Sequence, residues 1–411
     1  MKRALAAAAL TATLVAAPGV APAPAFAASY LPASRAAAAP GSDRATSSGS
    51  HRVTSTGPHG AASTGADRAA SSSSLDRTTS FGPNDRAASS GSHRVASSRH
   101  AGTLGRAADA SYRTLGAANH PDWMASVPDA TSLAGLSIPG THDTMAIHGG
   151  ALTETQEDFG DSGGTLARQL VAGIRMIDIR ARINGGNTFT IHHGAVYQQA
   201  NFTDVVRVLS DFLAAHPAET VIMRLKQECT GELGSCTDVP GQKSFQDIFD
   251  SYVTPVFWQP SVTRSTAAET PTLGQVRGKV VLAVMHSAFG GVIEHYGLTQ
   301  FATWSDGPYV QDNYNVPNIW AIATKRDQVR RFLDATSAGD PTKIYVNFGS
   351  GASLFAQPQQ VAGGAFGVQG VDPFLLTYLN EGHGLTRTGV LVLDFPGSGL
   401  IEKIIGFSSP R

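Results

Sequence analysis

From His120 onward the chain alternates between two hydrophobic patterns. Short unbroken apolar runs lie at Leu136–Ile138, Ile174–Ile179, Phe189–Ile191, Val221–Leu225, Val280–Val284, Ile344–Phe348 and Val390–Leu393, with a weaker one at Tyr309–Gln311. Runs of this length and composition predict strands buried on both faces. Between several of them apolar residues return at helical spacing, most clearly from Phe202 to His216, where Val205, Val206, Leu209, Phe212 and Leu213 share one face, and again from Asp327 to Ala335. Strands alternating with helices predict an α/β fold, a (β/α)8 TIM-type barrel with its chemistry at the carboxyl ends of the strands. The segments after Ile138 and between Ile179 and Phe189 are too short or irregular for full helices, so the expected barrel is distorted or incompletely closed.

What precedes this region has no such pattern. Lys2 and Arg3, the apolar stretch Ala4–Ala17 and the small-residue site Ala25-Phe26-Ala27 are the parts of a signal peptide over residues 1–27, so a secreted, extracellular protein is expected. Residues 28–112 are Ala, Ser, Thr, Gly, Arg and His with few large apolar side chains, and Ser47–Val53 recurs at Ser89–Val95. Such a segment cannot offset the entropy of ordering its backbone, and it reads as a low-complexity, disordered tether. The catalytic domain is then residues 113–411, long enough for one full barrel. A formal net charge of -1 supplies no field for nucleic acid, and a monomer is expected. The two cysteines, Cys229 and Cys236, lie close together in an exported chain and predict a disulfide.

Titratable groups gather where the apolar runs stop. Ile138-Pro139-Gly140-Thr141 runs into His142 and Asp143, and Asp178 and Arg180 are two apart on one strand and so face one side. Phe189-Thr190-Ile191 ends at His192-His193-Gly194, Val221–Leu225 at Lys226, Tyr309–Gln311 at Asp312, and Val390–Leu393 at Asp394. Two histidines, carboxylates able to orient each, and an arginine make a constellation for phosphoryl transfer by paired general base and acid. The guanidinium fork matches two phosphate oxygens and stays charged at any working pH. With no serine or cysteine nucleophile in this set, the attacking hydroxyl must come from the substrate, giving a cyclic phosphate as first product.

Ile138-Pro139-Gly140-Thr141-His142-Asp143-Thr144, Asp178-Ile179-Arg180-Ala181-Arg182 and His192-His193-Gly194 resemble the X domain of bacterial phosphatidylinositol-specific phospholipase C. The similarity extends through Pro217-Ala218-Glu219-Thr220, Arg277-Gly278-Lys279 and Val310-Gln311-Asp312-Asn313-Tyr314, covering roughly residues 120–400. The resemblance implies metal-independent cleavage of phosphatidylinositol at a membrane interface to diacylglycerol and inositol 1,2-cyclic phosphate, with no cofactor and only peripheral membrane contact. It makes His142 the base, held by Asp394, and His193 the acid, assisted by Asp143. Arg180 then stabilises the phosphoryl oxygens beside Asp178, Lys226 and Asp312 bind inositol hydroxyls, and Tyr314 packs on the ring. One position departs from the pattern: Met285 stands where better-known members have a basic residue, so His286 or another side chain must take that role, or the headgroup differs.

A metal-dependent phosphodiesterase barrel of the glycerophosphodiesterase or sphingomyelinase D kind would place His142, Asp178 and His193 around magnesium, and Arg180 argues against it. The same fixed charge argues against a calcium site on Asp143. A non-catalytic lipid-binding surface protein would be favoured by loss of a histidine, and neither is lost. Gly160-Asp161-Ser162-Gly163-Gly164 matches the string around a trypsin-like nucleophile, but too little ordered chain precedes it, and it reads as a turn before a helix. Trp123, Phe289, Tyr296 and Trp304 are the aromatic residues considered for a lipid-facing rim.

Overall fold

Which apolar runs become neighbouring staves depends on the length of chain between them, because a parallel pair needs a crossover of about a dozen residues while an antiparallel pair needs only a turn. The computed structural model describes residues 111–228, 241–259, 270–286, 298, 300 and 308–408, with 284–286 by backbone alone. All of these belong to the second of two units, residues 94–411. Cys229 and Cys236, the signal peptide, nearly all of the tether, and Phe289, Tyr296 and Trp304 lie outside the described residues.

The strands are β1 (Ile138–Thr141), β2 (Met176–Ile183), β3 (Phe189–His193), β4 (Val196–Asn201), β5 (Thr220–Gln227), β6 (Lys279–His286), β7 (Val310–Gln311), β8 (Val346–Phe348), β9 (Gly364–Ala365), β10 (Val368–Gln369) and β11 (Val390–Leu393). Parallel ladders join them in the order β6-β5-β2-β1-β11-β8-β7, while β3 and β4 add to β2 as an antiparallel extension and β9 pairs only with β10. Among the described residues no ladder joins β6 to β7, so the sheet is a curled, open part of a barrel.

The helices are α1 (Ser162–Ala172), α2 (Phe202–Ala215), α3 (Phe245–Asp250), α4 (Leu273–Val276), α5 (Ile322–Ala338), α6 (Pro358–Gly363), α7 (Val371–Glu381) and α8 (Ser398–Gly406). On α2, Phe202, Val205, Val208, Leu209, Phe212 and Leu213 are buried, the face that the spacing predicted except that Val208 is buried and Val206 half-buried. Each such side chain contributes roughly 1.5–3 kcal/mol on burial, which is what ties the helix to the sheet.

One expectation is corrected. Phe189–Ile191 is not a barrel stave: β3 runs antiparallel to the far end of β2, pairing Ala181 with Ile191 and Ile183 with Phe189. The connection is a turn closed by Asn184, whose Oδ1 accepts from the backbone of Gly186 at 2.9 Å and Thr188 at 3.3 Å, and it has no room for a crossover helix. Of the aromatic residues that were candidates for a lipid rim, Trp123 has the commoner fate and is buried, with its indole N–H donated to Gly173 O at 3.0 Å.

The hairpin has a consequence for the site. β1 pairs with β2 only at Gly140–Met176 and Thr141–Ile177, and β2 continues beyond the point where β1 stops. Gly140 permits this close approach, because a Cβ there would lie 2.8 Å from Met176 Cβ and 3.0 Å from its carbonyl oxygen. The protruding part of β2 carries Asp178 and Arg180, and the hairpin built on its end brings His193 back over the end of β1.

Candidate active site

The end of β1 is a locked turn. Thr141 Oγ1 donates to Gln169 Oε1 at 2.6 Å, Gln169 Nε2 donates to Thr144 O at 2.7 Å, and Thr144 N donates to Asp178 O at 3.0 Å. Gln156 Nε2 holds the His142 carbonyl at 2.7 Å. Within this turn Asp143 takes a positive φ of 42°, a left-handed conformation that Asp tolerates better than most residues. The chain thereby reverses, and two adjacent side chains point into the same space. Left-handed residues also follow two of the other strands that supply the site: Gly194 (φ 55°) follows His193, and Phe395 (φ 47°) follows Asp394.

The chemistry of its neighbours decides the tautomer of His142. Its Nε2 lies 2.8 Å from Arg180 Nη2, which can only donate, so Nε2 accepts and the ring proton sits on Nδ1, 2.9 Å from Asp394 Oδ1. This is a neutral imidazole with its lone pair facing the guanidinium. Burial opposes its protonation, but Asp394 and then Asp143 more than offset that effect, and the pKa is raised overall.

His193 is held differently. Its Nδ1 meets the Thr153 carbonyl at 2.6 Å, which makes Nδ1 the donor, and its Nε2 faces Asp143 Oδ2 at 3.2 Å. A carboxylate oxygen can only accept, so the Nε2 that faces it is placed to donate, as an acid must. The two rings stand 6.4 Å apart between centroids with Asp143 touching both, its Oδ2 lying 3.6 Å from His142 Nε2. The histidine side chains keep 15% and 20% of their surface exposed, against at most 2% for Asp143 and Asp394, so the rings face incoming substrate and the carboxylates stand behind them.

Arg180 lies at the centre. Its Nε is 2.6 Å from Asp143 Oδ1, Nη2 is 3.3 Å from Asp178 Oδ2, and Nη1 is 3.7 Å from Glu228 Oε2. Burial would depress its pKa, but Asp143, Asp178 and Glu228 raise it further above an already high value. For Asp178, burial works against the charge, and Arg224 followed by Arg180 overcomes it, holding the carboxyl far below its ordinary range.

Most of the residues singled out from the sequence meet here: His142, Asp143, Asp178, Arg180, His193 and Asp394 form one contact network. Lys226 joins it at one remove, 3.3 Å from Glu228 Oε2, and its pKa is lowered first by the Arg180 charge and then by burial. Asp312 joins through Arg224, whose Nη1 is 3.9 Å from Asp312 and 3.6 Å from Asp178. Tyr314 is on the rim, 65% exposed, with its backbone N–H donated to Asp312 O at 3.0 Å. His192, on the other face of β3, stacks on Tyr197 at 5.4 Å.

Sequence reasoning missed Arg224 and Glu228. Arg224 is one register step from Lys226 on the same face of β5 and lies 5.5 Å over the Phe348 ring; the i, i+2 rule that paired Asp178 with Arg180 applies here too. Glu228 has no such signal: one oxygen accepts from Gly194 N at 2.8 Å, across the chain, fixing the turn after His193. Ser162 is no nucleophile; it is buried, with its hydroxyl beside the carbonyls of Met145 at 3.1 Å and Gln198 at 2.6 Å, while Asp161 caps α1.

A family model for the phosphatidylinositol-specific phospholipase C X domain matches residues 136–286. A 1-phosphatidylinositol phosphodiesterase of Listeria monocytogenes is 34% identical over 293 residues, which is 69% of this chain and 83% of the relative. One from Staphylococcus aureus is 26% identical over 302 residues, 67% and 88% of the two chains. Among solved structures, the phosphatidylinositol-specific phospholipase C of Listeria monocytogenes superposes with a TM-score of 0.53 at 30% identity, covering 70% of this chain and 98% of that one. A Staphylococcus aureus enzyme of the same name, at 23% identity and a TM-score of 0.54, covers 72% and 100% and supports the fold.

Proposed function

Because this chain belongs to the phosphatidylinositol-specific phospholipase C family that carries the X domain, we propose that its strand-end cluster cleaves phosphatidylinositol by two proton transfers, through His142 and His193. The carrying observation is the opposite preparation of the two rings: one neutral with an accepting Nε2 beside Arg180, the other donating through Nδ1 with Nε2 toward an anion. Separate carboxylate partners let a base and an acid hold different protonation states at one pH.

In the first step His142 Nε2 takes the proton of the inositol 2-hydroxyl as its oxygen forms the new bond to phosphorus. The bond from phosphorus to the glycerol oxygen breaks, and His193 delivers its Nε2 proton to that oxygen. Diacylglycerol leaves and inositol 1,2-cyclic phosphate remains. Each histidine has then exchanged its state, so water activated by His193 and protonation of the 2-oxygen by His142 open the cyclic ester and restore the start. Arg180 meets the charge that grows on the phosphoryl oxygens. Lys226 and Asp312 bind inositol hydroxyls, Tyr314 packs on the ring, and Arg224, between Asp178 and Asp312, supplies the cation that Met285 cannot.

The reaction is metal-independent on this reading, because the Arg180 guanidinium fills the space that Asp143, Asp178 and Glu228 would offer a divalent ion. Phosphorus NMR of phosphatidylinositol vesicles should show the cyclic phosphate signal at the same rate with and without chelator. A rate that vanishes with chelator and returns with calcium or magnesium would refute it.

The lipid is reached across a rim of large apolar side chains: Tyr314, Trp320, Leu354 and Phe355 are 65%, 67%, 70% and 72% exposed on the loops that follow β7 and β8. These loops are joined by Val316 N donating to Ala352 O at 3.3 Å and Ala352 N to Tyr314 O at 2.9 Å, so the side chains are presented together. Replacing Trp320 and Phe355 together with serine should weaken vesicle binding about tenfold while short-chain soluble substrate turns over as before. Equal loss on both substrates would place these residues elsewhere in the mechanism. The lipid is met outside the cell in this reading, and mass spectrometry of the exported protein should find it beginning at Ala28; retention of residues 1–27 would count against export by that signal.

A further inference from the structure

Behind His142 lies a group of buried polar atoms that the mechanism above leaves idle. Asp394 uses Oδ1 for His142, while its Oδ2 has no hydrogen-bond partner among the described residues. The same holds for Oδ2 of Asp372 and for Oγ of Ser350, and all three residues are at most 2% exposed. They come from three elements: Asp394 from the end of β11, Ser350 from the end of β8, and Asp372 from the first turn of α7.

Their preceding residues pack together. A Cβ on Gly349 would lie 2.6 Å from Leu393 Cδ2 and 3.3 Å from Val371 Cγ1, so the backbone here is closed down on both. Gly349 N donates to Val392 O at 2.8 Å, and the pairing of Phe348 with Val392, carried two residues further, sets Ser350 alongside Asp394. No ion pair to Asp372 exists among the described residues. Lys325, a buried cation on α5 whose charge reaches Asp394, gives its ammonium to Asn313 O at 2.8 Å and Gln311 Oε1 at 3.4 Å. Tyr112, with Arg113 beside it, feels the Asp372 charge.

We propose that Asp372 carries a proton and donates it to the free Oδ2 of Asp394, with Ser350 completing the group, so that Asp372 is a positioning residue acting on His142 through Asp394. Asp372 and Asp394 are both buried and feel each other's charge, and a proton held by one of them is the ordinary way such a pair is kept from carrying two charges. Burial first, and the Asp394 charge second, push the Asp372 pKa well above the ordinary carboxyl range. The donor on Oδ2 draws negative charge from Oδ1. Asp394 still orients the Nδ1–H of His142, but stabilises the imidazolium less, and His142 stays a deprotonated base to lower pH.

The proposal rests on His142 being the base, and the test separates the two. The His142 ring is titrated by NMR in the wild type, Asp372→Leu and Asp372→Asn, and kcat on phosphatidylinositol is followed against pH in the same three proteins. In Asp372→Leu the His142 pKa and the acid limb of kcat should both rise by about one unit, with roughly tenfold lower turnover below neutral pH. Asp372→Asn, uncharged and still able to donate, should restore both. A His142 titration unmoved in a folded Asp372→Leu, or an Asn variant that behaves like Leu, overturns the proposal. A shifted titration with an unshifted limb supports the Asp372 contact and overturns His142 as the base. Should the Leu variant not fold, infrared difference spectra decide: the C=O stretch of a protonated carboxyl must be present in the wild type and lost in Asp372→Asn, and its absence from the wild type overturns the proposal.

Discussion

His142→Ala is expected to lower kcat on phosphatidylinositol by about 10⁴-fold, the upper end of what a positioned proton acceptor supplies, with the melting temperature nearly unchanged. The ring fills no deep cavity, since 15% of it is open to solvent, and its removal leaves Asp394 and Arg180 in place. His193→Ala should cost a similar factor on the natural lipid, but the two variants part on a substrate with an acidic leaving group. A nitrophenol departs without protonation, so His193→Ala should recover most of its rate on such a phosphodiester while His142→Ala stays inactive. If both recover, or neither, the roles assigned to the two rings are wrong. The pH dependence carries the same logic. The raised pKa of His142 puts the acid limb of kcat above that of an ordinary histidine, because the ring must be neutral to act. The stability it contributes runs the other way: it is fully present below the pKa of the unfolded histidine and is lost as pH rises through the higher folded value.

Arg180→Lys is expected to reduce kcat by about 10³-fold, the scale of losing a donor aimed at developing charge, while the protein stays folded. A lysine keeps the charge but replaces a planar fork by one point, and Arg180 serves Asp143, Asp178 and the accepting Nε2 of His142 at once. Arg180→Ala should do more. It would leave Asp143, Asp178 and Glu228, with side-chain exposures of 2%, 0% and 9%, without their shared cation, a loss on the order of 3–5 kcal/mol of stability. Thermal melts of both variants beside their kinetics separate charge from geometry. A lysine variant within tenfold of wild-type turnover would show that the fork is not what the reaction uses.

Corrections to the sequence reading follow a pattern. β3 was expected as a stave because a short apolar run looks the same whether its partner runs parallel or antiparallel, and only the Asn184 turn decides which. β4 was not expected, since Val196-Tyr197-Gln198-Gln199-Ala200-Asn201 buries a glutamine at a core-facing position. The sequence left open whether Trp123 faces lipid and singled out nothing at Trp320; Trp123 is buried and Trp320 exposed, because an aromatic side chain carries no local mark of whether a neighbouring layer covers it.

What the sequence determined by itself is what neighbouring residues impose on each other. The apolar runs, the helical face of α2, the break at Pro139-Gly140 that puts His142 beside Asp143, and the common face of Asp178 and Arg180 all follow from periods of two or 3.6 and from backbone sterics. The tertiary structure decided which run pairs with which, and therefore that Asp394 reaches His142 from 252 positions away, that Glu228 holds the turn after His193, and that Gly349 is closed down between Leu393 and Val371. Such contacts depend on how the strands curl and what their loops can span, a property of the whole sheet that no window of the chain contains.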